Sequence, residues 1–138
     1  MFINLLRFRF KDGVSESDKA HALEAISRTA KSEAVSFSVV GRDLGDPSEG
    51  FTHAYCVGIA DLLALKRYFD DPVHRAGDFL FLPLVGRLRR IAMTDDADPA
   101  LGEKIQAMHA AKMAGDPEWL ALLAAIPEVQ NVGSLSNR

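Results

Sequence analysis

The order of apolar patterns along the chain is the feature that most constrains its fold. Residues 2–10 alternate between two faces as a β-strand does, and residues 35–40, 51–60 and 87–93 repeat this period of two. Apolar residues at helical spacing follow the first and the third of these segments. The resulting order, β-α-β-β-α-β, predicts an α+β, ferredoxin-like sheet with two helices on one face.

Turn and capping residues set the limits of these elements. Ser15 stands before the first helix as a capping residue, and residues 41–50 (GRDLGDPSEG) predict a loop. Asp71 and Pro72 interrupt the second helix, because proline lacks the N–H that a helix interior needs but suits the first position of a new turn. The second piece of that helix is expected to end near residue 82.

Residues 95–138 follow the fourth strand and predict a helical C-terminal extension to a main domain at 1–94. Two Asp-Pro pairs begin the predicted helices over 99–114 and 117–125. The polar end of the chain, GSLSNR, predicts a mobile tail.

Composition restricts the class of protein. The 138 residues, 48% hydrophobic and 25% charged, are typical of one soluble domain. A net charge of −3 does not favour nucleic-acid binding, and no apolar run approaches the roughly 18 residues of a membrane-spanning helix. The single cysteine, Cys56, excludes an internal disulfide and fits a reducing, cytoplasmic compartment.

The motifs indicate neither a cofactor nor a metal ion. The four histidines lack the HExxH spacing of zinc hydrolases, and the glycine-containing segment at 41–50 matches neither nucleotide-binding fingerprint. His21 and His109 are expected on exposed faces of helices.

The predicted sheet is apolar on both faces. The two helices cover one face, and the other is expected to carry Ile3, Leu5, Ala54, Cys56 and Val40. A sheet of this kind needs a second layer, which two sheets packed back to back would supply. We therefore expect a homodimer through the sheet face away from the helices. The alternative is that the two C-terminal helices cover that face within one chain.

Three segments of the chain resemble a known family. RFRFKDGVSE near the start, GRDLGDPSEGFTHAY in the middle and YFDDPVHRAG before the last strand are similar to the stress-responsive α/β-barrel (Dabb) proteins. The resemblance extends over residues 1–94, and its most specific piece is the Pro-x-His at Pro72 and His74. It implies a dimeric α/β barrel with a cavity between sheet and helices. The family includes stress-induced proteins and small polyketide cyclases such as olivetolic acid cyclase.

The cyclase pattern implies a set of site residues. Its catalytic Tyr–His pair matches Tyr68 and His74 in spacing and in the intervening proline, and a further pocket histidine matches His53. Another pocket histidine of the pattern falls on Asn4, where this chain departs from it. The resemblance therefore implies catalytic roles for Tyr68, His74 and His53.

The residues themselves leave two interpretations open. On one straight helix Tyr68 and His74 would point in different directions, so the break at Pro72 must bring them together. His74 is then either a general base or a residue that hydrogen-bonds the backbone to hold the turn. His53 either orients a ligand or is a core histidine with a satisfied hydrogen bond.

Other inward-facing strand residues complete the expected pocket. Asn4, Tyr55 and Phe8 share the inward parity and are predicted to bind the substrate. Asn4 and His53 lie on neighbouring strands and favour a polar spot within an apolar cavity. Basic residues also cluster on the first and fourth strands, and these are Arg7, Arg9, Arg87, Arg89 and Arg90. They either recognise a carboxylate or phosphate at the cavity mouth or pair with acids such as Asp95 and Asp96.

Two functions fit these features. The first is a cofactor-free acid–base enzyme, resembling a polyketide cyclase, isomerase or lyase, that acts on a small hydrophobic carbonyl compound. The alternative is a non-catalytic stress-response or ligand-binding barrel. Both predict a small apolar ligand and a second copy of the chain as partners, with no nucleic acid and no membrane.

Overall fold

The computed structural model describes residues 1–130, which form a five-stranded sheet with the helices packed on one face. The strands are β1 (Phe2–Phe10), β2 (Phe37–Arg42), β3 (His53–Ile59), β4 (Val85–Thr94) and β5 (Glu128–Gln130). The helices are α1 (Glu16–Ala30), α2 (Leu62–Asp70), α3 (Pro72–Phe81), α4 (Leu101–Gly115) and α5 (Pro117–Ala124). Short 3₁₀ turns lie at Pro47–Glu49 and Leu82–Leu84.

The strand order across the sheet is β2-β3-β1-β4-β5. The first four strands are antiparallel neighbours in the ferredoxin-like order, so the predicted α+β fold is confirmed. Leu6 pairs with Tyr55 on one side and with Arg90 on the other, which fixes these three residues on the face toward the helices. Their sequence neighbours lie on the outer face. Val40 was expected on that outer face, but it pairs with Tyr55 and so lies on the inner one.

Side-chain caps explain where four of the helices begin. In each case an oxygen of the capping residue accepts a hydrogen bond from a backbone N–H two or three residues later, which satisfies a donor that has no helical partner. The pairs are Ser15 with Asp18 at 3.1 Å, Asp61 with Ala64 at 2.8 Å, Asp71 with Val73 at 2.9 Å and Asp116 with Trp119 at 3.2 Å.

The second strand lies two residues later than predicted. Gly41 and Arg42, expected in the loop, pair with Ala54 and His53 and so belong to β2. Cross-strand pairing therefore extends the strand past the glycine, which the sequence pattern treats as the start of a turn.

The fifth strand was not predicted. Its three residues pair in parallel with Arg87, Leu88 and Arg89 of β4. A segment of this length is too short to display a period of two, and it is held by its neighbour rather than by its own pattern. The predicted tail GSLSNR lies outside the described residues.

The main core lies between the inner face of the sheet and the helices. Its largest fully buried side chains are Phe8, Phe81, Ile59, Val57 and Val85. Leu101, Trp119 and Ile126 of the C-terminal extension join the same cluster. The extension therefore packs on the helical side of the sheet. None of the helices within residues 1–130 combines the length and apolar character needed to cross a membrane.

The outer face of the sheet carries a row of apolar side chains across four strands. Val39 pairs with Cys56, Cys56 with Leu5, and Leu5 with Ile91. At its edges Val39 is 68% exposed and Met93 is 64% exposed. The alternative in which the extension covers this face is wrong, because the extension lies on the opposite side.

The helices α1 and α3 pack tightly at Gly77, and this contact leads to a prediction. A β carbon there would lie 2.6 Å from Oγ1 of Thr29 and 3.2 Å from the carbonyl oxygen of Ala25. We expect Gly77→Ala to lower the free energy of unfolding by about 1–3 kcal/mol through overpacking. Urea denaturation followed by circular dichroism measures this change.

Gly102 of α4 is the matched control, because nothing lies within 4 Å of its β position. Gly102→Ala should leave stability unchanged or raise it by up to about 1 kcal/mol. Equal effects of the two substitutions would contradict the proposed packing constraint.

Candidate functional site

A cavity of about 530 Å³ lies between the inner face of the sheet, the helices α1–α3 and the C-terminal extension. Most of its lining is apolar, as is usual for small-molecule sites of this size. Its polar lining residues are Asn4, Thr29, Tyr55, Tyr68, His74, Asp78, Arg90, His109 and Trp119.

Pro72 determines where His74 points. In a continuous helix the carbonyl oxygen of Tyr68 would accept from the N–H of residue 72, but proline has none. Nδ1 of His74 lies 3.0 Å from that carbonyl oxygen and takes the place of the missing donor. Because a carbonyl only accepts, Nδ1 carries the proton and the neutral ring keeps its lone pair on Nε2.

Asp78 lies one turn after His74 and faces the same cavity. Its Oδ2 is 3.3 Å from Nε2 of His74 and accepts a hydrogen bond from Nε1 of Trp119 at 2.7 Å. The carboxylate is therefore held by α5 next to the basic nitrogen of the imidazole.

Two tyrosine hydroxyls form a second polar group in the cavity wall. The Oη atoms of Tyr55 and Tyr68 are 2.5 Å apart, and the Tyr68 ring lies 4.3 Å from that of His74. Burial raises the pKa of both phenols, with a contribution from the charge of Asp78, so both keep their protons near neutral pH. One proton lies between the two oxygens, and the second hydroxyl proton is available to a ligand.

Arg90 brings a positive charge to the same cavity. Its Nε donates to Oδ1 of Asn4 at 2.7 Å, and burial lowers the pKa of the guanidinium. Asn4 stands where the cyclase pattern has a histidine, and here it orients the guanidinium of Arg90.

The structure brings together four of the six predicted site residues, namely Asn4, Tyr55, Tyr68 and His74. It does not bring His53 or Phe8 to the cavity wall. The His53 ring stacks on Phe8 with centroids 5.7 Å apart, and its Nδ1 lies 2.8 Å from the hydroxyl of Thr52. Phe8 is fully buried beneath it. Both residues have the inward parity, but they pair with each other two register positions away from Leu6 and Tyr55, which do line the cavity. Parity alone therefore did not locate them.

His109 was expected on an exposed face, and this was wrong. It is largely buried, lines the cavity, and its ring lies 5.4 Å from that of Trp119. Its spacing of four from Ile105 and from Met113, which also line the cavity, places all three on one helical face. That spacing is the sequence feature that would have identified His109. Asp78 also lines the cavity and was not predicted from the sequence.

Most of the arginine cluster lies on the outer face and is paired with acids. Arg7 donates to Asp43 at 2.7 Å and to Glu49 at 3.1 Å, and Arg89 lies 3.5 Å from Glu49. The expectation of pairing was right in kind, but the acids are these and not Asp95, which meets the chain's own N-terminus at 3.5 Å.

The described residues hold no candidate metal centre. Within 1–130, no three His, Cys, Asp or Glu side chains come together as a bound metal ion would require.

A family model, the stress responsive A/B barrel domain, matches residues 4–95. The chain belongs to the Dabb family. The match includes the Pro72–His74 motif, most of β1 and the whole of β2, β3 and β4. A search of curated proteins finds no match to this sequence.

Solved structures agree with this assignment. A hydroxynitrile lyase from Passiflora edulis is 18% identical with a TM-score of 0.61, covering 70% of this Dabb protein and 94% of that chain. A Dabb family protein with a ferredoxin-like fold from Mesorhizobium loti is 19% identical with a TM-score of 0.60, covering 70% and 97%. A dimeric ferredoxin-like protein of unknown function from Thermobifida fusca is 20% identical with a TM-score of 0.59, covering 67% and 89%. At these identities the likeness establishes the fold.

The helices α4 and α5 of this Dabb protein lie beyond the family match. They supply His109 and Trp119 to the cavity wall, and Trp119 holds Asp78. The extension therefore forms part of the cavity wall and adds polar groups from beyond the matched residues.

The environment of His109 predicts a pH-dependent stability. Burial, followed by the charges of Arg90 and Lys112, lowers the pKa of His109 from 6.5 to about 4, against a smaller opposing effect of Asp78. Between these values the unfolded chain binds a proton that the folded chain does not. Stability from this group is complete above pH 6.5 and falls as the pH approaches 4, by up to about 3 kcal/mol.

Urea denaturation followed by tryptophan fluorescence at pH 7, 6, 5 and 4 measures this loss. His109→Gln should show a smaller decrease in unfolding free energy between pH 7 and pH 4 than the unsubstituted protein. Parallel curves for the two proteins would show that His109 does not titrate in this way.

Proposed function

We propose that this Dabb protein is a cofactor-free acid–base enzyme that moves a proton next to the carbonyl group of a small hydrophobic compound. The observation that carries the proposal is that a base of defined tautomer and a pair of protonated phenols lie in the wall of one apolar cavity. The substrate would enter with its carbonyl oxygen toward the hydroxyls of Tyr55 and Tyr68 and its neighbouring C–H toward His74.

His74 would act as the general base. Its Nδ1 proton is engaged by the carbonyl of Tyr68, so Nε2 holds the lone pair that accepts a proton from the carbon next to the carbonyl. The carboxylate of Asp78, 3.3 Å from Nε2, would stabilise the resulting imidazolium. The same proton is then returned to a different atom of the substrate or to solvent.

The tyrosine pair would stabilise the charge that develops on oxygen. A hydroxyl that is already hydrogen-bonded to a second hydroxyl donates to an enolate oxygen without first being reorganised. The raised pKa values of both phenols favour donation of a hydrogen bond over loss of the proton. Base and donor together support cyclisation, isomerisation or lyase chemistry.

The comparisons are compatible with such chemistry on this fold. One structural neighbour is a hydroxynitrile lyase, and the match of Tyr68, Pro72 and His74 to the cyclase pattern points to an aldol-type cyclisation. These likenesses support a reaction class and leave its substrate to be found.

The second candidate is a non-catalytic ligand-binding or stress-response barrel. It is favoured by the bond from His74 to the backbone of Tyr68, which also stabilises the turn between α2 and α3. In that function the hydroxyl pair would serve only the stability of the core.

We also propose the assembly and organisation of the protein. Two copies would pack through the outer sheet faces, as the apolar row from Val39 to Ile91 and the dimeric structural neighbours support. Residues 1–94 would form the barrel domain and 95–138 an extension that closes the cavity. The protein would reside in a reducing, cytoplasmic compartment, which the free thiol of Cys56 fits.

The proposed interface predicts the effect of a charge on the outer face. Val39→Glu should convert the dimer into a monomer, because it would bury an unpaired carboxylate between the sheets. Size-exclusion chromatography with light scattering at micromolar concentration measures the mass. Leu63→Glu is the control, since Leu63 on α2 is as exposed as Val39 but lies on the helical side. A monomeric unsubstituted protein would exclude the dimer.

The proposed chemistry predicts proton exchange on simple ketones. In D₂O the protein should accelerate the loss of the α-proton signals of acetophenone, 4-phenyl-2-butanone or 2-octanone, as followed by NMR. We expect His74→Gln to lower the rate by about 10²–10⁴-fold and Tyr68→Phe by about 10–10³-fold. His21→Gln, on the exposed face of α1, should exchange at the original rate.

Thermal melts of each variant separate loss of chemistry from loss of fold. If the unsubstituted protein accelerates exchange of none of these ketones, or if folded His74→Gln keeps the full rate, the acid–base function is wrong. The ligand-binding barrel is then the better account.

A further inference from the structure

Arg90 is set apart from the other arginines of β4 by the side of the sheet that it faces. Arg87 and Arg89 have the outward parity of the strand, whereas Arg90 pairs with Leu6 and lines the cavity. Its Nε donates to Asn4 at 2.7 Å, which fixes the plane of the guanidinium. A guanidinium is a planar fork of five N–H donors, and two of them fit the two oxygens of a carboxylate.

His109 contributes a second polar group to the same cavity. Its Nδ1 is buried and has no hydrogen-bond partner among residues 1–130. Buried polar atoms are nearly always hydrogen-bonded in folded proteins, so such an atom in a cavity wall points to a ligand. The charge of Arg90 acts on His109, since after burial it is the main cause of the lowered pKa of that imidazole.

Together these observations indicate what the cavity recognises. A neutral imidazole can donate one hydrogen bond to an anion through Nδ1, and the arginine supplies the opposite charge. Around them the cavity is apolar, with Ile105, Met113 and Leu123 of the extension among its lining residues.

We propose that Arg90 and His109 bind the carboxylate of the substrate, which is therefore an apolar oxo-carboxylic acid taken up as its anion. This carboxylate site rests on the proposed function in one respect, because it requires that the cavity be the place where the substrate binds. The carboxylate lies between β4 and α4, the apolar part lies along the extension, and the carbonyl group faces the two tyrosines. The extension thereby supplies specificity that the family domain lacks.

The test compares an anion with its neutral isostere. Isothermal titration calorimetry at pH 7 measures binding of 4-phenylbutanoate and 4-phenylbutanamide, and of octanoate and octanamide, to the full chain. The anion of at least one pair should bind about tenfold tighter than its amide or better, which is the usual effect of a charge-assisted hydrogen bond. Arg90→Gln should reduce that ratio to about one, and His109→Phe should reduce it in part.

Arg89→Gln is the matched control, because it removes the same charge from the adjacent position on the opposite face. It should leave the ratio of affinities unchanged. A ratio near one in the unsubstituted protein, an unchanged ratio in folded Arg90→Gln, or no saturable binding of either anion up to millimolar concentration would each overturn the proposal.

A measurement on the unsubstituted protein tests the proposed contact even if the variants fail to fold. In NMR titrations the ring signals of His109 should shift with 4-phenylbutanoate and not with the amide, and the pKa of His109 should rise from about 4. Unchanged His109 signals at saturation with the anion would contradict the proposed contact. None of these readouts requires turnover, so a protein that binds anions but exchanges no ketone protons contradicts only the catalytic function. The reverse result contradicts only the carboxylate site.

Discussion

One missing backbone donor organises the wall of the cavity. Pro72 has no N–H, so the carbonyl oxygen of Tyr68 at the end of α2 loses its helical partner, and the imidazole of His74 replaces it. Asp71 caps the new helix at the same point. The chain therefore turns sharply, and a residue in the first turn of α3 lies beside a tyrosine of the preceding helix. The tautomer and the orientation of His74 follow from this bond, and the helix α3 places Asp78 one turn later.

That bond stabilises the turn and also sets the tautomer of His74. By engaging Nδ1 it stabilises the turn and, in the same act, leaves Nε2 as the basic atom of the neutral ring. A histidine with a structural hydrogen bond is thus compatible with a general base. The sheet is a second constraint on the site. Side chains alternate between its two faces along β4, so Arg90 faces the cavity and Arg89 faces the opposite side, where it pairs with Glu49.

Most of the barrel fold could be predicted from the sequence because the patterns that define its strands and helices involve residues close together in the chain. Period-two segments, caps such as Ser15 and the Asp71–Pro72 break depend on residues a few positions apart, and each lies where the pattern placed it, to within a few residues. The exceptions depend on neighbours distant in sequence. Gly41 joins β2 through pairing with Ala54, and β5 exists only through its pairing with β4.

The site shows the same division. The sequence by itself determined that Tyr68 and His74 are separated by a helix break and that Asn4 and Tyr55 face inward, since spacing and parity are properties of the chain. Only the tertiary structure decided that the hydroxyl of Tyr68 meets that of Tyr55, that His53 lies away from the cavity, and that α4 turns His109 into it. The physical reason is that hydrogen bonds and burial depend on which elements pack together, and packing joins residues that no local pattern relates.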